Sequence, residues 1–140
     1  MKMNNNINEH AIRAFKVPGR LRQASVSACA LCCLSSTTTD LSKVKEWLDG
    51  LSLEGLDKDA ICTELTGTVE HLKIRPDHMS HHLKSIAAIR NEEGAESIRD
   101  VCIAVCQCIG INPSESGELL KVATQLGIDS AAIKQRIAEY

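Results

Sequence analysis

The stretch CIGINPSESGELLKVATQLGID, Cys108 to Asp129, reads as the end of one helix, a tight turn, a second helix and a stop. Asn112 suits the capping position, and Pro113 suits the first helical position, where no amide hydrogen bond is lost. Glu115 is placed to reach back to the exposed amide of the cap residue, in the manner of a capping box. Leu119, Val122, Ala123 and Leu126 then recur at helical spacing. Asp129 is set to cap a last helix carrying Ala132, Ile133 and Ile137.

The same layout recurs nearer the front. With a displacement of 75 positions, Cys33 falls on Cys108, Leu34 on Ile109 and Asp40 on Glu115. Val44, Trp47, Leu48 and Leu51 fall on Leu119, Val122, Ala123 and Leu126, while Ala28 and Ala30 fall on Ile103 and Val105. In the front copy Thr37 and Asp40 stand where Asn112 and Glu115 stand in the second. Two related helical hairpins packed face to face would hide both apolar stripes, so the fold is expected to be built twice.

Outward from these hairpins the periodicity stays helical. Ile7, Ala11, Ile12 and Phe15 form a short stripe ending near Pro18-Gly19. From Arg20 to about Leu34 apolar and small residues nearly surround the axis, which places that helix at the centre of a bundle. Asp57 precedes a stripe of Ile61, Leu65, Val69 and Leu72, and Asp77 precedes one of Met79, Leu83, Ile86 and Ala87. Ile98, Val101, Cys102, Val105 and Ile109 make the cleanest stripe of the chain. No useful length alternates with period two. The expected fold is all-α, a single-domain bundle of seven to eight helices, with a polar and basic segment over 1–19 preceding the main domain over 20–140.

Composition agrees. A chain of 140 residues with 44% hydrophobic residues can bury a core without disulfide support, and aromatics at 2% argue against a sheet. The net charge of −2 gives no support for nucleic-acid binding. Residues 1–22 nevertheless hold five cations against Glu9 alone, a balance of +4 that leaves −6 for the remainder. No run approaches the roughly 18 apolar residues of a membrane span, and the front lacks the apolar core of a signal peptide, so a cytoplasmic location is expected.

The two hairpins resemble the tellurite-resistance TerB family, whose members are all-helical and carry such a layout twice. Cys108-Ile109-Gly110-Ile111-Asn112-Pro113-Ser114-Glu115 overlays the family's second copy, Cys33 to Asp40 its first, and LLKVATQLGID suits its ending. The resemblance covers roughly residues 20–138. It implies a non-enzymatic, partner-binding role in a stress or tellurite-related system, and a metal held between the hairpins. This chain departs from the family at that metal: both acidic positions are cysteine, Cys33 and Cys108, and the following glycines are Leu34 and Ile109. A carboxylate set suited to a hard cation is largely gone. What remains is Cys33, Cys108, Asp40 and Glu115, a set for zinc or another borderline ion if the hairpins converge, and otherwise small apolar filling.

Other groups carry alternatives of their own. Seven cysteines, an odd number and mostly within apolar helical runs, fit reduced core residues better than a disulfide framework. Cys29 and Cys32 form a Cys-x-x-Cys, but mid-helix with no strand before it, unlike a thioredoxin-type redox motif. His78, His81 and His82 share the first turns of one helix, with His71 in reach, either as a second metal candidate or as a solvated polar face. No phosphate loop, nucleophile elbow or acid pair supports catalysis. The basic segment over 7–22 either docks its stripe on the bundle or lies on an anionic membrane surface, peripheral to the inner face.

Overall fold

The computed structural model describes residues 3–16, 19–34, 42–50, 57–92 and 94–139, the side chains of 3–6 and 8 excepted. These residues form eight α-helices and no strand: α1 Met3–Phe15, α2 Arg20–Cys33, α3 Ser42–Gly50, α4 Lys58–Ile74, α5 Met79–Ala87, α6 Ala95–Cys108, α7 Gly117–Leu126 and α8 Ser130–Ala138. Short 3₁₀ turns, Pro76–His78 and Pro113–Glu115, precede α5 and α7.

The centre is the pair α2 and α6. Every residue of α2 from Ala24 to Cys33 is buried, and so is all of α6 from Ile98 to Cys106 except Arg99. The two helices pack on one another, and around them the contacts are reciprocal. Helix α1 lies on α6 and α5 lies on α2, while α3 touches α6 and α7 touches α2. The exchange is partial, since α2 also packs on α4 and α5 on α7 with no comparable pairing of α6 with α8 or of α1 with α3. Both ends of α6 lie 75 positions beyond those of α2, and the start of α7 lies 75 beyond that of α3. The correspondence extends further forward than the hairpins. The same displacement puts Ala11 on Ile86 and Ala14 on Ile89, all four buried.

Helix α1 belongs to this single core, since Ile7, Ala11, Ala14 and Phe15 are buried in it. The apolar stripe of the basic segment therefore faces α6, and Arg13 and Lys16 face outward.

The helix ends follow local chemistry, with two departures. Asp57 caps α4 by accepting from the Ala60 amide at 3.0 Å, and Asp129 caps α8 by accepting from the Ala131 amide at 3.3 Å. Asp77 does not cap α5: it sits inside the 3₁₀ turn forced by Pro76, and its carboxylate accepts from the Arg75 guanidinium at 2.9 Å instead. In the turn before α7, Asn112 accepts from the Ser114 amide at 3.0 Å, but α7 itself starts later, where buried Ser116 accepts from the Leu119 amide at 3.1 Å. Glu115 receives a long 3.5 Å contact from the Asn112 side-chain amide in place of the expected bond to the cap residue's backbone amide. Gly110 and Gly127, at φ 79° and 77°, end α6 and α7 in the left-handed region that side chains resist.

Candidate functional site

A cleft of about 1000 Å³ opens beside α1. Glu9, Ile12 and Arg13 of α1 and Lys16 just beyond it form one wall, Gly19, Arg20 and Leu21 at the start of α2 another, and Ile89, Glu92 and Gly94 from the α5–α6 connection a third. Its floor is apolar because Ile12 and Leu21 are only partly covered by the core. Gly94 leaves room there for Leu21, whose side-chain tip would lie within 2.5 Å of a Cβ at that position and would have to shift. Arg20 is held in place, donating to the Ala88 carbonyl at 3.2 Å and pairing with Glu92 at 3.3 Å. Arg13 and Lys16 make no ion pair among the described residues and stand exposed on the rim. The cleft thus offers an apolar floor with Arg13 and Lys16 above it and exposed Glu9 in the same lining.

Behind α1 lies a buried ionic centre. Asp100 of α6 is fully buried, and its carboxylate accepts from His10 at 2.8 Å, from Arg136 at 2.8 and 3.1 Å and from Arg99 at 2.9 Å. The other His10 ring nitrogen lies 2.9 Å from the hydroxyl of Ser97. Burial alone would raise the Asp100 carboxyl. The hydrogen bonds from His10, Arg136 and Arg99 outweigh it and hold the group well below the usual carboxylate range. This cluster ties α1 and α8 to α6. It fixes the wall of the cleft and takes no part in its lining.

The expected metal groups fall on separate elements, Cys33 at the end of α2, Cys108 at the end of α6, Glu115 in the 3₁₀ turn before α7, and the histidines at and around the start of α5. Cys33 is buried, and burial pushes its thiol up, with the charges of Cys29, Cys32 and Cys108 adding to the effect. Cys108 is half-buried and is likewise raised by burial. Glu115 is exposed beside Asn112, and Asp40 lies outside the described residues, as do Thr37 and Leu51. Among the histidines, His71 and His78 place ring nitrogens 2.7 Å apart, and His81 meets His78 edge-on at 5.6 Å between ring centres. His82 turns inward, its Nδ1 2.8 Å from the Ser27 hydroxyl, and burial lowers its pKa, as do the charges of His71, His81 and His78. Among the described residues no group of three or more Cys, His, Asp or Glu is arranged to hold a metal ion.

Two features escaped the sequence reading. Asp100 carried a signal, being an acid within a helix otherwise apolar around most of its axis. The cleft carried none, because its walls come from three separate stretches.

No protein-family model, curated protein or solved structure matches the chain. The fold defines the class, an all-α helical bundle. No described helix is long and apolar enough to cross a membrane.

Proposed function

We propose that this chain is a non-enzymatic helical protein of the TerB-like type. It acts by binding a protein partner in a stress or tellurite-resistance-related system. The observation that carries the binding role is the cleft, where an apolar floor lies under Arg13 and Lys16. That pairing suits a partner segment with an apolar face and acidic flanks. The reciprocal packing of α1, α2 and α3 with α5, α6 and α7 supports the TerB-like part of the reading, and the tellurite link rests on the resemblance.

Deleting residues 1–19 would remove α1 from the core, so point variants on the cleft make the better test. Affinity capture from cells grown with and without tellurite would compare the full chain with an Arg13→Glu, Lys16→Glu double variant and with Ile12→Ser. A specific partner lost from both variants is expected. Capture unchanged by either variant refutes the cleft as the contact surface.

A second reading is metal binding at the histidine patch, favoured by the 2.7 Å approach of His71 and His78 with His81 beside them. Native mass spectrometry of untagged protein with zinc added decides it. Bare protein removes the reading, and a zinc adduct lost in His78→Ala supports it.

A further inference from the structure

The imidazoles of His71 and His78 converge at the corner where α4 gives way to the 3₁₀ turn before α5. Nε2 of His71 lies 2.7 Å from Nδ1 of His78, a hydrogen bond in which one ring donates and the other accepts. Two nitrogens on one tetrahedral zinc ion, at bonds of about 2.0–2.1 Å, stand about 3.3 Å apart. His71 is exposed and His78 partly so, and a small rotation of each ring opens the gap to that width. The far side of His78 is already braced. Its Nε2 faces Oδ2 of Asp77 at 3.8 Å, and the Arg75 guanidinium holds that oxygen at 2.9 Å. A carboxylate behind a ligating imidazole fixes the orientation of the ring.

The chain supplies these two nitrogens and no more. His81 meets His78 edge-on, with ring centres 5.6 Å apart, and His82 turns away to the Ser27 hydroxyl at 2.8 Å. Among the described residues no three Cys, His, Asp or Glu side chains are arranged around one ion. A structural zinc site takes four protein ligands. A second copy of the same chain, presenting the same exposed pair, carries the other two.

Ile74 marks the same surface independently. It lies one turn after His71 on α4, and residues three apart share a side of a helix. At 76% exposure it is the most exposed large apolar side chain among the described residues. Beside it Arg75 and Asp77 neutralise one another, so this pair adds little like-charge repulsion when two copies meet.

We infer that His71 and His78 from two copies of the chain share one zinc ion, joining them as a two-fold dimer at the end of α4 with Ile74 covered beside the metal. This assembly presupposes metal binding at the histidine patch and names what fills the ion's open positions. The ion carries the association, so the chain is a monomer without zinc and a dimer with it.

The test uses the untagged full chain, with a phosphine reductant present so that no disulfide joins two copies. Native mass spectrometry and sedimentation velocity are recorded in EDTA and then with zinc chloride added. The expected result is a monomer in EDTA and, with zinc, a dimer carrying one ion per two chains. His71→Ala and His78→Ala should each raise the dissociation constant of the zinc-dependent dimer at least tenfold, and Asp77→Asn should raise it about tenfold. Ile74→Ser should raise it at least threefold, while His82→Gln should leave it unchanged. A chain that stays bare in zinc removes the metal-binding reading and the dimer with it. One ion on each monomer, with no dimer, keeps metal binding and overturns the shared ion. A dimer that persists in EDTA, or that forms equally well in both histidine-to-alanine variants, also overturns it.

Discussion

Replacing Asp100 by Asn tests the ionic centre most directly, because the shape of the side chain is kept and its charge is lost. The carboxylate accepts four hydrogen bonds from His10, Arg99 and Arg136. In the variant an amide N–H₂ faces those donors, and one oxygen must serve them all. Breaking a buried ion pair from one side costs about 3–5 kcal/mol. His10, Arg99 and Arg136 are 19%, 14% and 18% exposed, so each can recover some hydration. The lower end, about 3 kcal/mol, is therefore expected. Against a total of about 5–15 kcal/mol that is a large share, and it corresponds to a fall in Tm on the order of 10 °C. Urea denaturation followed by far-ultraviolet circular dichroism measures it. The sign of the pH dependence is fixed as well. The folded carboxyl is held below its unfolded value, so its contribution is complete above the unfolded pKa of about 3.9 and fades as pH falls below it. The gap between the two proteins should narrow with acidification through that range. A loss under about 1 kcal/mol at neutral pH, or a gap that widens in acid, refutes the reasoning.

Four smaller outcomes follow from the same structure. Gly67 lies inside α4 with open space where a Cβ would go, so Gly67→Ala should stabilise by about 0.5–1 kcal/mol in urea denaturation. Gly127→Ala should destabilise by about 1–3 kcal/mol, because φ is 77° and the new Cβ would come within 2.3 Å of the Asn91 side chain; an unchanged Tm would count against that geometry. Ser116→Ala removes the buried cap of α7 and should cost about 1 kcal/mol, read in the same assay. The lowered pKa of His82 means that stability is complete above the unfolded value of about 6.5 and declines as pH falls through it. Thermal melts between about pH 7.5 and 5.5 should show this decline, with a shallower slope in His82→Gln; a Tm that rises on acidification would contradict it.

Helical periodicity carried most of the architecture. The stripes over Ile61–Leu72, Ile98–Val105 and Leu119–Leu126 each became a buried face, because a helix that hides one side needs only that spacing. The central place of α2 was legible for the same reason, from the absence of any polar side between Ala24 and Cys33. The turn chemistry was harder to read. Asp77 and Glu115 had the right identity at a capping distance, yet Pro76 and Pro113 each opened a 3₁₀ turn that moved the helix start downstream. The sites were least legible. Ile12, Leu21 and Ile89 line one cleft only once three separate stretches come together.

The mutual burial of α2 and α6 also imposes an order on biosynthesis. When Cys33 leaves the ribosome, the helix that will cover it has not been made, and at about 5–20 residues per second the wait for Cys108 lasts roughly 4–15 s. Through that interval an apolar, cysteine-rich segment is open to chaperones and to thiol reagents. Nascent chains halted before Ala95 should therefore label readily at Cys29 and Cys32, and chains halted well past Cys108 should resist. Equal labelling of the two would mean that α2 finds shelter before α6 exists.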